Sequence, residues 1–143
     1  MDDEREVFLY KKFAKIKSEI KNLDIKNGLA FFDIDLTLID EFGKANLPIL
    51  DFYNFLKKQN IKIVLITARK NDEEIRMFTE IQLHELGITE YYDIIFRDPK
   101  EKDLYKFKEQ SRKKFYEQGF YILMSVGDKD WDIGSYGGIG VLI

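Results

Sequence analysis

A chain of 143 residues that is 45% hydrophobic and 34% charged has room for one compact core and little for a second, so a single domain over residues 1–143 is expected. The net charge of −3 gives no basic field that would gather nucleic acid, which leaves nucleic acid a place only as a substrate, and the absence of cysteine excludes a disulfide framework and a thiolate metal site. The opening MDDEREVFLYKKF is charged from its second residue and has no apolar stretch of signal-peptide or membrane-spanning length, so a soluble cytoplasmic protein with no membrane partner is expected.

From Glu4 to Leu23, apolar side chains recur at Leu9, Phe13, Ile16, Ile20 and Leu23, steps of four and three that set one stripe on a helix whose other face carries lysines. This amphipathic segment, residues 1–27, is expected to pack on or beside the core, or to contact a second copy in a homo-oligomer. LAFFDID (residues 29–35) reads as a buried strand that ends on acids. Asn46 to Lys58 reads as a helix with Asn46 as cap, Pro48 in its first turn, and Ile49, Phe52, Tyr53 and Leu56 on one side. IKIVLIT (residues 61–67) is a second buried strand, followed by a helix capped at Asn71 with Glu74 three residues on and stopped at Gly87. Tyr92 to Phe96, Tyr121 to Val126 and Gly140 to Ile143 complete the strands, with a helix ending at Gly119 before the fourth. Continuous rather than alternating hydrophobicity, interrupted by helices, predicts an α/β fold: a Rossmann-like three-layer sandwich around a mostly parallel five-stranded sheet.

Ligands of open α/β sheets bind beyond the carboxyl ends of the strands. Those ends carry Asp33 to Thr37, Thr67 to Arg69, Arg97-Asp98, and Gly127 to Asp132, so acids and threonines converge on one edge. In FFDIDLTLID, Asp33 and Asp35 lie two apart and point to the same side if the strand stays extended. In ILMSVGDKDWDIG, Asp128 and Asp132 lie four apart, with Asp130 between them expected to be exposed. Carboxylates from both stretches form a set of hard oxygen ligands of the kind Mg²⁺ takes.

DIDLT at Asp33 to Thr37, Thr67 of LITAR, a lysine upstream of the fourth strand, and GDKDWD at Gly127 to Asp132 resemble, in order, the four motifs of the haloacid-dehalogenase-like (HAD) phosphatases. The stretch from Lys108 through SRKKFYEQGFYI to GDKDWD is most similar to the capless acid-phosphatase branch. The resemblance implies a Mg²⁺-dependent phosphomonoester hydrolase. Asp33 would attack phosphorus and carry an aspartyl-phosphate, and Asp35 would serve as acid and then base. Asp33, the backbone carbonyl of Asp35, and Asp128 would ligate the metal, with Asp132 holding a metal-bound water or orienting the lysine. Thr67 would donate a hydrogen bond to the phosphoryl group, Lys108 would offset its charge, and Ala68 and Arg69 would border it.

Six lysines lie in the right interval, and height selects among them. A strand of about six residues climbs about 20 Å, which an antiparallel helix recovers in about 13 residues. Counting back from Gly119 reaches the level of Lys106 and Lys108, and the family-like spacing KxxxR to Arg112 favours Lys108. His84, the one histidine, falls at a helix end remote from the active edge, and Trp131 reads as packing beneath its loop as readily as a substrate contact. Arg69 has two readings, a phosphate contact or a surface salt bridge.

The intervals from Asp33 to Thr67 and from Thr67 to Lys108 are each filled by a helix and a strand, so no cap domain is expected. An uncapped edge suits a phosphorylated macromolecule, or a small molecule covered by a neighbouring subunit, with Ile39 to Ala45 as local flap. Two other readings compete: a receiver-like phospho-accepting domain, and a HAD-like binding or storage module. The acidic pair on the first strand with a second acidic loop after the fourth fits hydrolase order better than receiver order.

Overall fold

The computed structural model describes residues 3–143. The element order is α1 (Asp3–Ile20), β1 (Gly28–Phe32), α2 (Leu47–Lys58), β2 (Lys62–Lys70), α3 (Glu73–Glu85), β3 (Asp93–Arg97), α4 (Leu104–Glu117), β4 (Tyr121–Gly127), a 3₁₀ turn (Asp130–Asp132) and β5 (Ile139–Leu142). The strands form one sheet in the order β3-β2-β1-β4-β5, and all four pairings are parallel.

From β1 the chain moves outward through α2, β2, α3 and β3, then returns through α4 to place β4 on the other side of β1. The crevice between β1 and β4 is therefore the switch point at which open parallel sheets bind ligands. Alternation along β1 divides the core. Ala30 and Phe32 join Leu9, Phe13, Phe52, Tyr53 and Leu83 on the face covered by α1, α2 and α3, while Leu29 and Phe31 join Val64, Ile66, Phe107 and Phe115 under α4. The expected stripe of α1 is real: Leu9, Phe13 and Ile20 are buried, and the Phe13 ring lies 4.5 Å from that of Phe52. Met1 and Asp2 of that segment lie outside the described residues. Among the described residues no helix is long and apolar enough to cross a membrane.

Several boundaries differ from expectation for local reasons. α1 stops at Ile20 because the Leu23 amide turns back to the Ile20 carbonyl at 3.0 Å, which leaves Leu23 exposed. β1 ends at Phe32, before the acids rather than on them, because residues 34–38 form a tight turn with Leu36 at φ +59°. β2 runs three residues past Thr67 to Lys70, with a register break between Thr67 and Lys70, and the Asn71 amide still bonds to Arg97 O at 2.7 Å. With Asn71 spent on that edge, the cap of α3 is Asp72, whose carboxylate accepts from the Glu74 and Ile75 amides. Asn46 does occupy the N-cap position of α2, but its side chain makes no capping bond; it is buried, and its Oδ1 has no hydrogen-bond partner among the described residues.

Candidate active site

The site begins where β1 runs out between its two parallel neighbours. The Asp33 amide donates to Val126 O at 3.0 Å, which ties the first acidic loop to the end of β4. The next turn closes through Thr37 N to Ile34 O at 3.2 Å and Ile39 N to Ile34 O at 3.0 Å. It brings Thr37, fully buried, to a position from which its hydroxyl stands 3.4 Å from both Asp33 Oδ2 and Asp128 Oδ1. No separate role was expected for Thr37, although the DxDxT spacing carried the signal.

On the other face, α4 buries Phe107, Lys108, Ser111, Arg112 and Phe115, spaced by one, three and four along the helix. This aims Lys108 under the sheet edge. Its Nζ lies 2.9 Å from Asp33 Oδ1 and donates to Ile66 O at 2.6 Å, with its side chain 2% exposed. Nζ also approaches Asp132 Oδ1 to 2.7 Å, a close ion pair rather than an aligned hydrogen bond, since among the described residues that oxygen has no partner of good geometry. Lys106 points away, exposed and 3.9 Å from Glu101. Of the two lysines left open by the height count, Lys108 is thus the one at the acids.

The loop after β4 delivers Asp128 and Asp132. The Lys129 amide donates to Asp132 Oδ2 at 3.0 Å, turning that carboxylate inward over Gly127. A side chain at 127 would collide with it, because a Cβ there would lie 2.2 Å from Asp132 Cβ. Arg112 braces the loop from α4, donating to Trp131 O at 2.8 Å and to Ser135 O at 2.9 Å. Trp131 packs edge-on against Tyr105 with centroids 5.5 Å apart. Asp130 is exposed, and so is His84, in the last turn of α3.

One carboxylate oxygen each from Asp33, Asp128 and Asp132 lies within 4.8 Å of the others. Burial pushes the Asp33 carboxyl up from 3.8 to about 6; Lys108 opposes the rise and Asp128 adds to it. Asp132 is raised as well, mainly by burial, with Lys108 again opposing. Three crowded carboxylates face one buried ammonium between two of them and, at 3.7 Å from Asp128, the exposed Lys129, and stay under-neutralised by one charge. Their donor set is all hard oxygen, so the residues fit a small divalent cation.

The remaining expected residues sit around this cluster. Thr67 is fully buried where the regular pairing of β2 with β3 breaks, its Oγ1 accepting from the Arg69 amide at 3.1 Å. Ala68 lies in the register break, its carbonyl held by Arg97 Nε at 2.8 Å. Asp35 does not join the acidic group through its carboxylate. It is half exposed and forms a two-pronged pair with Arg69, Nε to Oδ2 at 3.0 Å and Nη2 to Oδ1 at 2.8 Å.

Comparison with known proteins shows what the chain is similar to. The class C acid phosphatase from Bacillus anthracis superposes with a TM-score of 0.70 at 17% identity over 96% of this chain and 68% of that one; its tungstate-bound structure gives 0.58 over 87% and 62%. A chain of the Pnkp1/Rnl/Hen1 RNA repair complex gives 0.59 at 18% identity over 85% and 46%. At these identities the likeness is one of fold. Two proteins of Glycine max, the stem 28 kDa and stem 31 kDa glycoproteins, are each 28% identical over 116 residues. That stretch is 76% of this chain but only 45% and 39% of theirs, so the chain spans less than half the length of these relatives. The profile of HAD superfamily subfamily IIIB (acid phosphatase) matches residues 42–139, which takes in Thr67, Lys108, Asp128 and Asp132 and begins after the first acidic loop. Over most of its length, then, the chain belongs to the HAD superfamily, subfamily IIIB, the acid phosphatases.

Proposed function

We propose that the protein is a Mg²⁺-dependent phosphomonoester hydrolase working through an aspartyl-phosphate on Asp33. The observation that carries this reading is the Lys108 ammonium, buried and 2.9 Å from Asp33, beside three carboxylates that converge without enough cations. Asp33, Asp128 and the backbone carbonyl of Asp35 would hold the ion, with Asp132 beside it orienting Lys108; when bound, the ion neutralises the clustered acids and polarises the phosphoryl oxygens.

Asp33 attacks phosphorus as the bond to the leaving oxygen breaks, and Asp35 gives that oxygen a proton. In the second half Asp35 takes a proton from water as its oxygen bonds to phosphorus and the bond to Asp33 breaks. Lys108 keeps Asp33 ionised and aimed, and Asp132 keeps Lys108 in place. The Thr67 hydroxyl donates to a phosphoryl oxygen. Substrate reaches the acids from an uncapped edge bordered by the Ile39–Ala45 hairpin, where Asp40 accepts from the Phe42 and Lys44 amides. That opening suits a bulky phosphorylated substrate, or a small one covered by a second copy.

Release of inorganic phosphate from an activated aryl phosphate, with Mg²⁺, with chelator, and in Asp33→Asn, tests the reading. Sustained release that needs both the metal and Asp33 is expected. One equivalent or less per protein, or release unchanged by chelation, would overturn it.

A further inference from the structure

Arg69 is fixed from several directions before it touches Asp35. Its Nη1 donates to Thr79 Oγ1 at 3.0 Å, and that hydroxyl spends its own proton on Ile75 O at 2.7 Å, so it is oriented as an acceptor toward the guanidinium. Thr79 is fully buried in α3. The guanidinium carbon stands 6.0 Å from the centre of the Phe78 ring, and the Arg69 amide is held by Thr67 Oγ1. The Arg69 side chain is 17% exposed, whereas that of Asp35 is 55% exposed.

The two partners are therefore unequal. Surface ion pairs contribute little when both long chains must be ordered to form them. Here the cation is already ordered by α3, and the acid sits on a turn where, among the described residues, Arg69 is the hydrogen-bond partner of its carboxylate. A two-pronged guanidinium fixes the plane of a carboxylate as well as its position. It takes one acceptor position on each oxygen and leaves the other open.

We propose that Arg69, anchored by Thr79, is a positioning residue that holds the Asp35 carboxylate toward the leaving oxygen, rather than a phosphate ligand. This rests on the acid/base role given to Asp35 above. Freed from the fork, Asp35 redistributes among its staggered rotamers, and a misplaced acid loses most where the leaving group most needs a proton.

The test compares kcat/KM, which reports formation of the aspartyl-phosphate, for an alkyl phosphate and an activated aryl phosphate. The proteins are wild type, Arg69→Gln, Arg69→Lys, Thr79→Val and Asp35→Asn, plus Arg69→Gln combined with Asp35→Asn. Arg69→Gln is expected to lower the alkyl value about 10- to 100-fold and the aryl value little. Inhibition by inorganic phosphate should be unchanged, and the added substitution should have no further effect once Asp35 is Asn. Thr79→Val should show the same selectivity more weakly, and Arg69→Lys should recover part of the loss.

Equal losses for both substrates with weaker phosphate inhibition would make Arg69 a phosphate ligand and overturn the proposal. So would a loss that persists in full in the Asp35→Asn background. If Asp35→Asn is selective and Arg69→Gln is not, only the positioning role fails; if Asp35→Asn is itself unselective, the acid/base reading fails and the proposal with it. Thr79→Val and Arg69→Lys keep these outcomes readable should Arg69→Gln fold poorly.

Discussion

The Lys108 ammonium lies between Asp33 and Asp132, 2.9 Å from one carboxylate and 2.7 Å from the other. One residue of α4 thereby fastens the loop after β1 to the loop after β4 from beneath. Its third contact, to Ile66 O, reaches β2, so the lysine spans three adjacent strands.

Removing that charge strands two buried carboxylates. Lys108→Met is expected to lower stability by about 3–5 kcal/mol in chelator, the usual cost of breaking a buried pair from one side. Divalent cation should recover part of the loss by replacing the missing charge, while turnover stays low. Urea unfolding of both proteins with and without Mg²⁺ checks this; a loss under about 1 kcal/mol in chelator would mean that the pair is solvent-screened.

Asp33 makes the metal-free protein sensitive to pH in a stated direction. Its folded pKa, about 6, exceeds the ordinary 3.8, so the folded state binds the proton more tightly than the unfolded chain. The stability linked to that proton is fully present below pH 3.8 and is lost as pH rises through about 6, roughly 3 kcal/mol in all. Asp132, also raised, acts in the same sense. Unfolding in chelator from pH 4.5 to 7.5 should show the decline, and Asp33→Asn should flatten it.

The same titration governs the metal, which binds ionised carboxylates and releases protons where they are still held. Calorimetry in buffers of different ionisation enthalpy should find Mg²⁺ binding weaker and accompanied by more proton release at pH 5.5 than at pH 7.5. Asp128→Ala should abolish binding at millimolar Mg²⁺. Equal affinity at the two pH values would remove Asp33 from the ligand set.

Legibility in the sequence followed the range of the interaction. The parallel sheet, its strand ends and the acids on them could be read locally, because buried strands leave continuous apolar runs and the acids stop those runs. The height count leaves Lys108 as one of two lysines, and only the family-like spacing to Arg112 favours it. The stripe that singles it out, Lys108-Ser111-Arg112-Phe115, is mostly polar and does not register as an apolar period. The Arg69–Asp35 pair joins positions 34 residues apart through a register break in β2 that no residue pattern announces. Of the two expected caps, Asn46 holds its position without a side-chain capping bond, whereas Asn71 is used in pairing with β3 and Asp72 caps α3 in its place.

Gly127 tests how closely the second loop must fold over β4. A Cβ there meets Asp132 at 2.2–2.4 Å, and all three of the nearest atoms belong to a side chain already committed to Lys108 and to the Lys129 amide. Gly127→Ala must displace the carboxylate and is expected to cost about 1–3 kcal/mol as overpacking does, with Mg²⁺ affinity falling as well. Unchanged metal affinity in a folded Gly127→Ala protein would show that Asp132 is not needed at its present position.

Asp35 gives the test that separates chemistry from architecture. It has two jobs in the proposed cycle, giving a proton to the leaving oxygen and taking one from water. With an activated aryl phosphate the first needs little help, so Asp35→Asn should slow chiefly the second. Aspartyl-phosphate then accumulates, visible as a burst of aryl alcohol of about one equivalent before a slow steady state, and trappable by rapid acid quench. An alkyl phosphate should show no burst, because its first step becomes limiting. An acid that only steadied the turn after β1 would behave otherwise: its loss would lower stability and reduce both phases in proportion to the folded fraction. Normal steady-state turnover without a burst in purified Asp35→Asn would take the acid/base role away from this residue and leave its pair with Arg69 a structural contact.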